Sequence, residues 1–223
     1  MAEKEKQPAP SRGVLVSVNL AQLRQVPMGD LLYYTGIWKL PVDRRVPAKE
    51  MGLDGDMQGE LSSHGGPMKA VYAYAEEDYQ WWEVQLERTL PPGTFGENLT
   101  LRGIPVTGAH IGERWRIGSA EFEVTQPRQP CWKLGIKMED QKFPNRFSEA
   151  NRPGAYLSIL QEGELGSGDA VEVIHRPAHP VTIGLLAYLI YTDHRLAALL
   201  REMFDQGLTS DEWREFLKAK LAS

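Results

Sequence analysis

The segment of the chain with the clearest chemical potential surrounds Cys131, the only cysteine among the 223 residues. The cysteine lies between Arg128 and Lys133, and cations at such positions lower the pKa of a thiol. The thiolate that results attacks electrophiles and binds soft metals. Pro127 and Pro130 restrict the backbone on both sides of Arg128. A buried structural cysteine is the alternative, and the residues alone leave both interpretations open.

Composition narrows the class of protein. The formal net charge is -5, which gives no electrostatic reason to expect binding to a nucleic acid polymer or an acidic membrane. A single cysteine excludes an intrachain disulfide framework and a multi-cysteine zinc site. The longest apolar run, residues 183–190, is too short to span a bilayer, and residues 1–12 lack the apolar stretch of a signal peptide. A reducing, cytoplasmic location is therefore expected.

Short β-type segments separated by Gly and Pro dominate the first three quarters of the chain. Strands are predicted at residues 13–20, 35–41, 69–74, 97–101, 155–160 and 169–174, and as a pair joined by a Gly-Ser turn within 114–124. Helices are predicted only at residues 76–88 and 144–150, while the segment after Cys131 fits either state. Many strands with few intervening helices predict a mainly β protein built on a closed or nearly closed barrel.

The composition changes at residues 177–180, where two prolines flank Ala178 and His179. Three amphipathic segments follow, at residues 181–191, 194–204 and 210–221. We expect a disordered tail over residues 1–12, a barrel domain over 13–176 and a small three-helix domain over 177–223. A unit of this size has little core of its own, which favours an accessory or partner-docking role.

Two further segments could hold a ligand. His64 precedes Gly65 and Gly66, whose backbone N–H groups could approach an anion, and Lys69 adds a positive charge nearby. Asn98 could hydrogen-bond a ligand. An ordinary turn explains either segment equally well when it is taken alone.

Asp54 and Asp56 could bind a hard cation, although the other oxygen ligands of a calcium loop are missing and stabilisation of a turn is the favoured interpretation. The remaining histidines have no spacing typical of metal ligands and are expected to be structural or exposed: His110, His175, His179 and His194.

Three motifs together resemble the MOSC-domain proteins, and among them the YiiM family of 6-N-hydroxylaminopurine resistance proteins. They are residues 64–74 (HGGPMKAVYAY), 95–100 (FGENLT) and 125–134 (TQPRQPCWKL). The resemblance extends over nearly the whole chain. It implies a MOSC-type β-barrel with a few flanking helices, followed by a small C-terminal three-helix domain.

The resemblance also implies a molybdenum cofactor, a molybdopterin, with Cys131 as the thiolate ligand of the metal. Arg128, Lys69, Lys133 and the Gly65–Gly66 backbone would then face the phosphate or oxo groups of the cofactor. His64 and Asn98 would offer hydrogen bonds to the pterin or the substrate. No task follows from the resemblance for Asp54 and Asp56.

The activity implied is the reduction of N-hydroxylated compounds such as 6-N-hydroxylaminopurine, which would detoxify base analogues. His64 is the candidate proton donor. The sequence carries no flavin, haem or iron–sulfur motif, so a separate flavoprotein electron donor is expected. A homodimer is compatible with this class.

Two other functions stay open at this stage. MOSC domains also occur in molybdenum-cofactor sulfurases, so Cys131 could instead carry a persulfide as part of a cofactor or sulfur carrier. The chain has no pyridoxal-phosphate domain, which disfavours autonomous sulfurase activity. A redox-silent binding module for a small anionic ligand is the weaker alternative.

Overall fold

A computed structural model describes residues 12–57, 66–179 and 181–192. Within these ranges the strands are β1 (Arg12–Ala21), β2 (Arg24–Met28), β3 (Leu31–Thr35), β4 (Lys39–Pro41), β5 (Val46–Lys49), β6 (Gly52–Leu53), β7 (Val71–Ala75), β8 (Leu99–Arg102), β9 (Arg114–Ile117), β10 (Ala120–Pro127), β11 (Ala155–Gln161), β12 (Gly163–Leu165) and β13 (Ala170–His175). The helices are α1 (Glu76–Leu86), α2 (Trp132–Met138), α3 (Phe143–Glu149) and α4 (Ile183–Thr192), with short 3-10 turns at Pro67–Lys69 and Val106–Gly108.

Seven strands close into a barrel. Hydrogen-bonded neighbours run β13, β9, β10, β11, β7, β8 and β1, and the ring closes because β1 also pairs with β13. The pairing of β7 with β8 is parallel, and the other pairings of the ring are antiparallel. A register shift between Leu15 and Ser17 divides β1, whose far end pairs with β4 outside the ring. Closure leaves these seven strands without a free edge.

The barrel is filled by the inward side chains of its strands. Along β10, buried Ala120, Phe122 and Val124 alternate with the partly exposed Glu121 and Glu123. This alternation is the pattern expected for a strand with one face on the core. The interior is therefore a packed hydrophobic core.

A second, aromatic core lies outside the barrel, between β7 and the helices α1, α2 and α3. Its buried rings include Tyr74, Trp82, Phe95, Phe143 and Phe147. Trp82 and Phe147 stack with an interplanar angle of 3°, and the indole N–H of Trp82 donates to the hydroxyl of Tyr74 at 2.9 Å. This cluster fixes α2 and α3 against the barrel, and so fixes the segment that carries Cys131.

The predicted mainly β fold is confirmed. Strands occur within every predicted β segment, and both predicted helices are present. The segment after Cys131 is helical. The sequence analysis missed the β2–β3 hairpin and the short strand β12, which pairs with β5.

Of the three predicted C-terminal helices, the first is present as α4. The predicted helices at residues 194–204 and 210–221 lie outside the described residues, and so does nearly all of the predicted N-terminal tail. The domain boundaries stay predictions. None of the described helices is both long and apolar enough to cross a membrane.

Candidate functional site

A cavity of about 650 Å³, including its part open to solvent, lies at the end of the barrel where β7, β10 and β11 meet the segment before β4. Four of its fifteen described lining residues are cationic and one is a carboxylate. The lining residues are Thr35, Gly36, Ile37, Lys39, Asp56, Met57, Lys69, Tyr72, Gly96, Asn98, Arg128, Gln129, Cys131, Lys133 and Tyr156. This excess of positive charge favours an anionic ligand.

Cys131 stands at the junction between strand β10 and helix α2. Its extended backbone (φ -122°, ψ 169°) precedes the first helical residue, and its carbonyl accepts a hydrogen bond from the backbone N–H of Leu134 at 2.9 Å. The residue is half-buried and lines the cavity. The thiol is therefore accessible from the cavity, as a metal ligand or a nucleophile must be.

Arg128 is the buried cation of the site. Its guanidinium lies 5.5 Å from the ring centroids of both Tyr72 and Phe147 and is hydrogen bonded with the Tyr156 side chain. Burial opposes its charge, but the electrostatic effects of neighbouring Tyr72, Cys131 and Tyr156 outweigh this and raise the pKa of the guanidinium. Among the described residues, Nη1 has no hydrogen-bond partner although it is buried. A buried donor of this kind is costly unless a ligand satisfies it.

Lys39 and Asp56 form a buried ion pair among the residues that line the cavity. Lys39 Nζ lies 2.6 Å from Asp56 Oδ2, and the two side chains are exposed by only 8% and 5%. Asp56 also accepts hydrogen bonds from the backbone N–H of Ala21 and from the side-chain amide of Asn98. Burial lowers the pKa of Lys39, and the attraction of Asp56 opposes that effect. Asp56 thus ties three segments of the wall together.

Asn98 is a member of this network. Its side-chain N–H groups donate to Asp56 and to the backbone carbonyl of Asn19, and its oxygen accepts from the backbone N–H of Tyr72. The sequence analysis expected Asn98 to hydrogen-bond a ligand. In the structure both of its donors are engaged by protein groups, so Asn98 holds the pocket wall in shape.

The other predicted ligand-binding residues differ in whether they line the cavity. Lys69 and Lys133 line the cavity with Arg128 and Cys131, so segments distant in sequence bring their cations to one site. Gly66 has a φ of +92°, and no described atom lies within 4 Å of the position that a Cβ would take there. His64 and Gly65 lie outside the described residues, and their expected roles stay predictions.

The two acidic residues of the 51–56 segment have different surroundings. Asp54 is about half exposed and pairs with Lys49, which lowers the pKa of its carboxyl group. Asp56 is buried and belongs to the pocket. The expectation that both merely stabilise a turn is wrong for Asp56, because its partners come from Ala21, Lys39 and Asn98.

Lys137 supports the cavity wall through Ile37, and the sequence analysis gave it no role. It lies one helical turn after Lys133, and its ammonium donates to the backbone carbonyls of Ile37 and Gly93 at 2.7 and 2.5 Å. Burial lowers the pKa of Lys137 to about 7, although the charge of Glu97 opposes this. The spacing of Lys133 and Lys137 places both on one face of α2 and was the available signal.

Glu97 was quoted within a motif but given no role, and it is fully buried. One carboxylate oxygen accepts hydrogen bonds from the hydroxyls of Tyr79 and Thr100 and from the backbone N–H of Gly93. The other oxygen has no partner among the described residues. Glu97 therefore braces the 91–98 loop, whose residues Gly96 and Asn98 line the cavity.

Comparison with known proteins agrees with the fold. The MOSC domain family matches residues 60–172. The uncharacterised protein YflK of Bacillus subtilis is 31% identical over 207 residues, which cover 92% of this chain and 94% of that protein. The chain belongs to the MOSC domain family.

Further relatives are consistent with this. The protein YiiM of Escherichia coli is 32% identical over 146 residues, 64% of this chain and 65% of that protein. The crystal structure of YiiM from Geobacillus stearothermophilus superposes with a TM-score of 0.70 at 28% identity, covering 92% of this chain and 98% of that chain. A protein of Gibberella moniliformis named "Reductase" is 28% identical over 178 residues, which make up 76% of this chain and 31% of that protein.

Proposed function

We propose that this protein is a molybdenum-cofactor-dependent oxidoreductase that reduces N-hydroxylated compounds, with Cys131 as the thiolate ligand of the metal. The observation that carries the proposal is a pair of groups in one cavity. Cys131 offers the single thiol of the chain, and Arg128 offers a buried nitrogen without a partner among the described residues. MOSC domains are generally associated with this cofactor, and one relative is named a reductase.

The residues fit such a group in two respects. A soft thiolate is a suitable donor to molybdenum, and Cys131 is half-buried in the cavity wall. The pterin carries a phosphate, and planar Arg side chains bind phosphate with two parallel hydrogen bonds. Arg128 Nη1 would be satisfied by a phosphate oxygen, while Lys69 and Lys133 contribute charge to the same cavity.

When bound, the molybdenum centre would supply the electron pair that cleaves the N–O bond. The balance of the reaction is that R–NH–OH, two electrons and two protons give R–NH₂ and water. A separate electron donor, which we propose to be a flavoprotein, would supply the two electrons. The protons would come from solvent or from a side chain, for which His64, outside the described residues, is the candidate from the sequence.

The tasks of the chain itself are binding and positioning. Arg128 would hold the phosphate, because its guanidinium is fixed between Tyr72 and Phe147 and has little freedom to lose. Cys131 is fixed by the start of α2. The ion pair of Lys39 and Asp56 would hold its part of the cavity wall in shape. These restraints would present the metal to substrate at the open side of the cavity.

The decisive experiment is to purify the full chain from a host that makes molybdopterin and to measure bound molybdenum and reduction of 6-N-hydroxylaminopurine with a chemical electron donor. The expected result is about one metal per chain in the wild type and loss of metal and activity in Cys131→Ser. Ser119→Ala is a matched control, because that hydroxyl lies in the β9–β10 turn and lines no part of the cavity.

Other outcomes separate the remaining functions. A persulfide on Cys131 without bound metal would favour the sulfur-carrier function. Full activity of Cys131→Ser would exclude any role of this sulfur in the chemistry. We also propose a cytoplasmic location, which fluorescence of a tagged chain in the native host would check.

A further inference from the structure

Two half-buried aromatic side chains, Trp132 and Tyr33, neighbour residues that line the cavity, and neither has a task in the function proposed above. The rings of Trp132 and Tyr33 meet edge to face, with centroids 5.6 Å apart and planes at 78°. Trp132 follows Cys131 directly, and Tyr33 comes two residues before Thr35, which lines the cavity. The contact between the two rings therefore joins the start of α2 to the β2–β3 hairpin.

The position of the Trp132 ring relative to the cavity is fixed by a second contact. The ammonium of Lys133, a buried residue that lines the cavity, lies 5.6 Å from the centroid of the Trp132 ring. The half-buried indole therefore lies beside one of the cations of the cavity wall. Its Cα is one residue, about 3.8 Å, from that of Cys131.

The hairpin that supplies Tyr33 is unusually apolar for an exposed element. Leu31 and Leu32 are exposed by 62% and 63%, and Tyr34 by 55%. Exposed apolar surface of this kind next to a cavity is typical of a binding site. Aromatic side chains that keep one end in water and bury the other are favoured at such sites, because they offer a large rigid surface at low entropic cost.

We propose that Trp132 and Tyr33 form an aromatic subsite that binds the planar ring of an aromatic N-hydroxylated substrate and holds its N–OH group beside Cys131. This inference rests on the proposed function and deepens it. The cofactor occupies the cation-lined interior, and the substrate ring lies at the rim against the aromatic pair. The subsite selects aromatic over aliphatic N-hydroxylated substrates, since a substrate without a ring gains nothing from it.

The test compares two substrates and two variants in the cofactor-loaded full chain. 6-N-Hydroxylaminopurine carries a purine ring, and hydroxylamine carries none. Replacing an aromatic platform by an aliphatic side chain weakens the binding of a stacked base by about tenfold. Trp132→Leu and Tyr33→Leu should therefore raise KM for the purine by about tenfold, leave its kcat nearly unchanged, and leave hydroxylamine turnover and molybdenum content as in the wild type.

The matched control is Trp81→Leu. Trp81 is also half-buried, and it contacts Trp82 and Arg152, which do not line the cavity. Its replacement should change neither substrate. A loss of bound pterin in Trp132→Leu would assign the ring to the cofactor, and equal changes for both substrates would show a purely structural role. Either result overturns the subsite.

A binding measurement keeps this test separate from the proposed function. Adenine has the ring without the N–OH group, and titration calorimetry measures its binding without any turnover. Weaker adenine binding by Trp132→Leu, with Trp81→Leu unchanged, would support the subsite even if the wild type failed to reduce either substrate. Identical adenine binding by wild type and Trp132→Leu would reject it.

Discussion

The ammonium of Lys39 lies 2.6 Å from the carboxylate of Asp56, and both side chains are nearly buried in the wall of the cavity that holds Cys131. Neither residue is close to Cys131 in sequence. The pair joins β4, which begins at Lys39, to the loop that carries Asp56, and Asn98 adds a third segment through its amide. The shape of the cavity therefore depends on a buried charge pair, and the first prediction concerns its removal.

Asp56→Ala should lower the free energy of unfolding by about 3–5 kcal/mol, because the variant leaves the Lys39 charge buried without its partner. Urea denaturation of the wild type and of Asp56→Ala measures the difference in the free energy of unfolding. Asp54→Ala is the control two residues away, since Asp54 pairs with Lys49 at the surface, and it should cost no more than about 1 kcal/mol. Equal losses in the two variants would contradict the importance of the buried pair.

Lys137 should make the stability of the protein depend on pH. Its pKa is lowered from 10.5 to about 7 in the folded protein. Below about pH 7 both states hold the proton. Between that pH and the unfolded value only the unfolded protein keeps it, so raising the pH favours folding. We expect the free energy of unfolding to rise by on the order of 3 kcal/mol between about pH 7 and pH 9.5.

Denaturant titrations between about pH 7 and pH 9.5 check this expectation. Lys137→Met should flatten the rise, because it removes the group that titrates. It should also lower stability overall, since the carbonyls of Ile37 and Gly93 lose their donor. Lys49→Met is the control, because that lysine is exposed and the pKa of its ammonium is raised by Asp54. A rise in stability that survives in Lys137→Met would refute the assignment.

Parts of this arrangement follow from sequence patterns. The β9–β10 hairpin is predictable because Glu121, Phe122, Glu123 and Val124 alternate in polarity, and the Gly118-Ser119 turn fixes its ends. The Cys131 site is predictable because its thiol, cations and prolines lie within a few residues. Local information of this kind is enough for the strands and the candidate metal ligand.

Other parts depend on contacts between distant segments. The β2–β3 hairpin was missed because Leu31, Leu32, Tyr33 and Tyr34 are consecutive large apolar or aromatic residues with no alternation. The lowered pKa of Lys137 arises from tertiary burial under the carbonyls of Ile37 and Gly93. The spacing of Lys133 and Lys137 shows that they share a face of α2, but it does not show that the ammonium of Lys137 is buried.

Arg128 should not be replaceable by lysine. Lysine keeps the charge but lacks the planar guanidinium that lies between Tyr72 and Phe147 and offers Nη1 to the cavity. Arg128→Lys should therefore lower the pterin content of protein purified from a molybdopterin-producing host by about tenfold. Fluorescence of the released, oxidised pterin measures this content.

Arg146→Lys is the matched control for this substitution. Arg146 lies 5.8 Å from the ring of Phe143 and pairs with Asp140 at the surface, but it does not line the cavity. The control should retain the wild-type pterin content. If Arg128→Lys also retained it, the unpartnered nitrogen of Arg128 would have no role in holding the phosphate.

The central claim is that the sulfur of Cys131 is bonded to molybdenum. X-ray absorption at the molybdenum edge counts the sulfur neighbours of the metal directly. The account predicts that Cys131→Ser, loaded with metal and cofactor to whatever extent it accepts them, shows one sulfur neighbour fewer than the wild type. An unchanged sulfur count in metal-containing Cys131→Ser would contradict it.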